Sequence, residues 1–165
     1  MKNQKLCGRV YNIAETFDVS TPKDGLVMYS ISFLKNDENK RKALDFIAEY
    51  DGKMLLEQTK CGVALESLGF FNEPEKFEEQ MRDKVWRIFL ERGIAAASGN
   101  VTVFVNGADM RGKFVDVCVE ALLANDLITT INDFDKFEFI EEKIELKHRG
   151  EKIDEYARKM KNRCL

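Results

Sequence analysis

Val101-Thr102-Val103-Phe104-Val105-Asn106-Gly107 is a run of five residues suited to pleated backbone, closed by a turn dipeptide. Branched and aromatic side chains pack well on a half-buried sheet, and Asn-Gly tolerates the positive φ of a tight turn. The stretch predicts a strand over 101–105. It also divides the chain, because the text before it reads mainly as helix and the text after it as mixed helix and strand.

Working upstream, residues 75–97 carry Phe77, Met81, Val85, Ile88, Phe89, Ile94 and Ala95 at helical spacing. Asn72-Glu73-Pro74-Glu75 is a helix start and Ser98-Gly99-Asn100 a stop, so a long helix is expected, with a bend at Gly93. Residues 37–50 form another amphipathic helix through Ala43, Leu44, Phe46 and Ile47, ended by Asp51-Gly52. A further helix is read over 54–68, where Gly62 implies close packing or contact with a ligand. The apolar run 26–34 follows the turn signal Ser20-Thr21-Pro22-Lys23-Asp24-Gly25, and periodicity alone does not settle its type.

Downstream, residues 113–119 read as a second strand on which Phe114, Asp116, Cys118 and Glu120 share a side. Residues 127–131 and 136–140 are further strand candidates around a turn at 133–135, and 150–160 is compatible with a helix. The expectation is an α/β (or α+β) fold in a single domain, 1–165, mainly helical over residues 1–98 and α/β over residues 99–165.

Composition narrows the function classes. With 165 residues, 44% hydrophobic and 33% charged, the chain has the profile of a folded globular domain rather than a disordered one. Lys and Arg number 26 against 29 Asp and Glu, giving a net charge of -3, so a chain-wide basic footprint for nucleic acid is absent. No run approaches the roughly 20 apolar residues of a membrane span. The opening residues lack the apolar core of a secretory leader, so the expected location is the cytoplasm, or the exterior as an effector without a visible leader. Cys7, Cys61, Cys118 and Cys164 include no CxxC pair; a reduced chain is the simpler reading, and three pairings exist in an oxidising compartment.

The short motifs that announce chemistry, GxxxxGK[ST], HExxH, GxSxG and GxGxxG, are all missing. The single histidine, His148, lies in a charged run and reads as a surface residue. No resident metal or cofactor is expected. Asp116 and Glu120 stand out among the acids because they flank Cys118 on one expected strand side. Trp86 reads by default as a core tryptophan, and as a cleft wall in the sharper reading.

One segment changes this picture. Lys84-Val85-Trp86-Arg87-Ile88-Phe89-Leu90-Glu91-Arg92-Gly93-Ile94-Ala95-Ala96-Ala97, followed by the 101–107 strand and turn, resembles the ADP-ribosyl cyclase / NAD glycohydrolase family. Leu56-Glu57-Gln58-Thr59 resembles that family's Leu-Glu-Asp-Thr helix, with Glu66 and Phe70 where it continues, and Tyr29-Ser30 matches its first active-site tryptophan and serine. The resemblance covers about residues 26–132. It implies a helical N-terminal half packed on a small, largely parallel C-terminal sheet with flanking helices. It also implies cleavage of the nicotinamide–ribose bond of NAD, as substrate rather than cofactor. Glu120, Asp116 and Glu57 are then the catalytic candidates, and Trp86, Phe70, Tyr29, Ser30, Glu66 and Cys118 the nucleotide-binding ones. The simplest register puts Cys118 where the family carries its catalytic glutamate. A nucleotide-binding or protein-interaction module that has lost catalysis is the alternative, and NAD or a related nucleotide, with a protein besides, are the expected partners.

Overall fold

The computed structural model describes residues 4–30, 37–105 and 117–143. Among them a five-stranded sheet runs in the order β2-β1-β3-β4-β5, built from β1 (Leu26–Tyr29), β2 (Met54–Leu55), β3 (Gly99–Phe104), β4 (Ile128–Ile131) and β5 (Phe134–Asp135). The first four strands are mutually parallel and only β5 is antiparallel. A mixed α/β fold with a small, mostly parallel sheet is therefore what this sequence forms. The sheet is not confined to residues 99–165, however: its inner strand β1 and its edge strand β2 come from the first half.

Alternation along the strands explains the layers. Leu26 and Met28 of β1 and Val101 and Val103 of β3 face the large core, whereas Val27, Tyr29 and Phe104 face a smaller one. The smaller core is closed by α2 (Glu38–Glu49) through Ala43, Phe46 and Ile47. The larger core receives α1 (Gln4–Thr16), α3 (Lys60–Ser67), α4 (Glu79–Ala95), α5 (Val119–Ala124) and α6 (Lys136–Lys143). Chain direction makes this necessary. From β1 the chain moves outward to β2 through α2, and from β3 it moves the opposite way to β4 through α5. Crossovers of one hand then put those two helices on opposite faces.

Several expected elements change type. The helix expected over 54–68 is instead β2, a 3-10 turn Leu56–Gln58, and then α3. Gln58 Oε1 accepts the Leu55 N–H (2.8 Å), and Thr59 Oγ1 accepts the Gly62 N–H (3.2 Å), which starts α3 afresh. Residues 136–140 form α6 rather than a strand. Phe137, Phe139 and Ile140 are all buried, a pattern helical spacing supplies and alternation does not. The Asp135 carboxylate accepts the Phe137 N–H at its start (3.1 Å). The Lys136 ammonium, itself buried, donates to the Leu122, Leu123 and Asn125 carbonyls at the end of α5. The long helix also begins later than expected, after a separate 3-10 turn Pro74–Lys76, and runs through Gly93. Residues 150–160 lie outside the described residues.

Two devices hold the β3–β4 half. A register shift between Gly99 and Asn100 gives β4 one extra residue, so that Ile128 and Ile131, three apart, both reach the core. Asn132 and Asp133, both at positive φ, make the two-residue turn into β5. The Asn132 amide then pairs with both backbone groups of Val103, accepting at 2.7 Å and donating at 3.0 Å, and prolongs the ladder by one residue.

Gly62 serves packing. A Cβ there would fall 2.5 Å from the Glu57 backbone, so the 3-10 turn seats directly on the first turn of α3. Gly62→Ala should cost about 1–3 kcal/mol of stability in urea unfolding, by forcing that turn outward. An unchanged midpoint would show the turn to be free to shift.

Candidate functional site

In open parallel sheets ligands bind beyond the carboxyl ends of the strands, where the connections diverge. Here that point lies between β1 and β3, whose last described residues are Ser30 and Val105. Ser30 is buried, and its N–H donates to the Phe104 carbonyl (3.0 Å), the last rung between the two strands. Its own carbonyl accepts the side-chain amide of Asn39 (2.7 Å), a buried residue in the first turn of α2. The start of α2 is thereby tied to the end of β1.

Glu57 stands two residues past the end of β2, on the 3-10 turn. Its charge acts on Tyr29, which packs on the α2 side of the sheet, and on Cys118, which packs in the large core. Burial pushes its carboxyl above the usual value of 4.5, opposed by a hydrogen bond from its own backbone N–H and by the Lys40 ammonium on α2. Tyr29 is pushed up to about 12, first by burial and then by the Glu57 charge. Cys118 is also raised to about 12, by burial and then by Glu57 and Glu91. Phenol and thiol both stay neutral at ordinary pH. Glu57 is the acid among the three, and its ionisation is the variable.

Tyr29-Ser30, Glu57 and Cys118, expected from three separate stretches, are thus linked at this end of the sheet: β2 pairs with β1, the turn carrying Glu57 packs on β1, and the Glu57 charge acts on Tyr29 and Cys118. It places the other expected residues elsewhere. Phe70 is fully buried and Trp86 half-buried in an aromatic cluster with Phe71 and Phe89, the Trp86 ring centroid lying 5.8 Å from Phe70 and 5.0 Å from Phe71. That cluster packs in the large core, on the opposite side of the sheet from Tyr29, which packs with α2. Glu66 closes the loop after α3, accepting the Phe71 N–H (3.2 Å) and the Asn72 side-chain amide.

The expected strand through Cys118 and Glu120 is corrected. Val117 and Cys118 form a wider helical turn leading into α5, where Val119, Leu122 and Leu123 pack into the core. Residues two apart on a helix point to nearly opposite sides, and accordingly Cys118 is buried and Glu120 exposed. Asp116 lies outside the described residues, as do Asp109, His148 and Cys164. Cys7, Cys61 and Cys118 are free thiols. Among the described residues no group of three or more His, Cys, Asp or Glu side chains is placed to hold a metal ion, and no helix is long and apolar enough to cross a membrane.

Two residues of this site carry no signal in the sequence. Asn39 and Lys40 sit in the run Asp37-Glu38-Asn39-Lys40-Arg41-Lys42, which reads as a solvated helix start. Burial of one polar residue inside such a run depends on where the helix docks.

No protein-family model, no curated protein and no solved structure matches this chain. The geometry therefore stands by itself.

The raised Glu57 value has a definite sign for stability. Between 4.5 and its raised value the folded chain binds more protons at Glu57 than the unfolded chain does. The contribution is full below 4.5 and is lost as pH rises through the raised value. Glu57→Gln cannot ionise, so it should gain stability relative to the parent as pH climbs through that window. Parallel unfolding curves at all pH values would show that Glu57 is solvated like a surface acid.

Proposed function

We propose that the chain binds a nicotinamide nucleotide beyond the carboxyl ends of β1 and β3 and cleaves its nicotinamide–ribose bond, with Glu57 as the working carboxylate. The observation that carries this reading is the convergence of Glu57 with Tyr29 and Cys118 at the point where the strand connections diverge. The resemblance to the ADP-ribosyl cyclase / NAD glycohydrolase family pairs the positions of Glu57 and Cys118 in one site. Their meeting here, from stretches about sixty residues apart, supports it.

The chemistry needs little else. Loss of nicotinamide leaves the ring neutral and develops positive charge on the ribose. A carboxylate beside the sugar stabilises that charge most where water is excluded. An empty site holds Glu57 toward its protonated form. The positive nicotinamide ring of a bound substrate favours the ionised form, so binding releases a proton and readies the carboxylate. Neutral Tyr29 supplies a hydroxyl donor for the ribose diol or the leaving amide. Water then captures the sugar to give ADP-ribose.

A second reading has its own observation. Cys118, neutral to about 12, is a thiol at the position where the resembled family carries its catalytic glutamate. A nucleotide-binding protein without turnover fits that loss.

The test is incubation of the full chain with NAD and chromatographic separation of the products. Nicotinamide release that Glu57→Gln lowers roughly hundredfold in kcat/KM, with the fold retained, is the expected result. Saturable NAD binding without nicotinamide release would favour the second reading. Absence of both binding and release would end the nucleotide proposal.

A further inference from the structure

We infer that Asn39 is a positioning residue for the Glu57 site: its side-chain amide, bonded to the Ser30 carbonyl, sets the spacing of α2 and β1 that seats Lys40 and Tyr29 beside Glu57. This rests on the reading of Glu57 as the working carboxylate, and it assigns a residue that makes no contact with substrate.

The geometry begins with burial. Asn39 is 2% exposed and Ser30 7%, in a helix start where every neighbour from Asp37 to Lys42 is charged. Asparagine is a poor helix former, and burying an amide costs free energy unless it is bonded, so its presence there needs a bond partner. The 2.7 Å bond to Ser30 supplies one across nine residues of chain. Ser30 is in turn fixed to β3 by its N–H on the Phe104 carbonyl. One amide therefore joins α2 to the β1–β3 pair at the strand ends.

The β1–β2 pairing of Val27 with Leu55 brings the turn carrying Glu57 against β1, and the residues on either side of the clamp are those coupled to its charge. Lys40 follows Asn39 and Tyr29 precedes Ser30. From the large-core side, the Cys118 thiol at the start of α5 is raised in part by the Glu57 charge, and the backbone N–H of Glu57 completes the set. Opening the clamp lets water in beside Tyr29 and Glu57 and moves Lys40 away. Burial is the largest influence on both acids, so its relief dominates, and both should titrate nearer their ordinary values.

The experiment follows the Glu57 carboxyl and Tyr29 ring signals by NMR across pH in the parent and in Asn39→Ala, with NAD turnover measured alongside. Asn39→Leu, close in volume and without a donor, is made in parallel in case the alanine variant does not fold. In the unmodified chain, the Asn39 side-chain amide signal should shift with the same midpoint as Glu57.

The expected result is a fall of both midpoints toward 4.5 and 10, with kcat reduced more than KM is changed. Unmoved midpoints in a folded variant would overturn the inference. If neither variant folds, an Asn39 amide signal indifferent to the Glu57 titration overturns it, and one that follows the titration supports it. Midpoints that move in a chain without NAD turnover uphold the clamp and remove the enzymatic reading. Turnover with unmoved midpoints does the reverse.

Discussion

The parallel pairing of β1 with β3 is the contact on which the remaining structure depends. Three register pairs, Val27 with Thr102, Met28 with Val103 and Tyr29 with Phe104, join strands that lie about seventy-five residues apart in the chain. The loop that must close before this pairing forms is long, and its closure entropy is recovered only when side chains on both faces are buried. Each face contributes. Leu26, Met28, Val101 and Val103 enter the large core, while Val27 and Phe104 enter the small one under α2. With β1 and β3 side by side, the chain leaves β1 in one direction, to β2, and leaves β3 in the other, to β4. The opening at their carboxyl ends follows from that divergence.

Edges of the sheet are kept short. β2 and β5 contribute two residues each, too few to template another strand. The structure spends its polar side chains on backbone groups that the short strands and helices leave unpaired. Asn125 donates to the Ile94 and Ala97 carbonyls at the end of α4, and Arg92 donates to the Ala14 and Phe17 carbonyls after α1. The Asp24 carboxylate accepts the Asn100 N–H at the start of β3. These bonds join elements distant in sequence, and they let a chain rich in short elements hold a defined sheet end.

Legibility in the sequence tracked the range of the forces involved. The 37–50 helix and the strand at 101–105 were readable, because local propensity and the buried pattern agree there. At 136–140 the alternation of Phe137 and Phe139 mimicked a strand. The helix forms because Ile140 must be buried as well, and because the Lys136 ammonium docks on the end of α5. Cys118 and Glu120 were assigned one side by a strand period, and the tertiary demand of Leu122 and Leu123 on α4 replaced it with a helical one. Glu57 drew its expected role from the resemblance, not from its local sequence. Its perturbation comes from burial, opposed by Lys40 on α2, and its charge in turn raises Tyr29 on β1 and Cys118 before α5, none of which a local window contains.

A thiol in place of a second carboxyl changes the electrostatics of such a site in one direction. Two carboxylates close together resist ionising, and each raises the other. With Cys118 neutral, Glu57 is spared that repulsion, and what remains against its ionisation is burial. Burial is a cost that a positively charged ligand offsets directly, since the ligand displaces water while supplying the missing counter-charge. A neutral ligand of the same shape would instead deepen the burial and drive Glu57 further toward its protonated form. On the proposed reading the same carboxyl would therefore discriminate between the two by protonation state, before any question of transition-state contact arises. In the proposed reaction this preference works with the chemistry. The ring that favours the ionised carboxylate loses its positive charge on departure, just as the ribose acquires one for that carboxylate to stabilise.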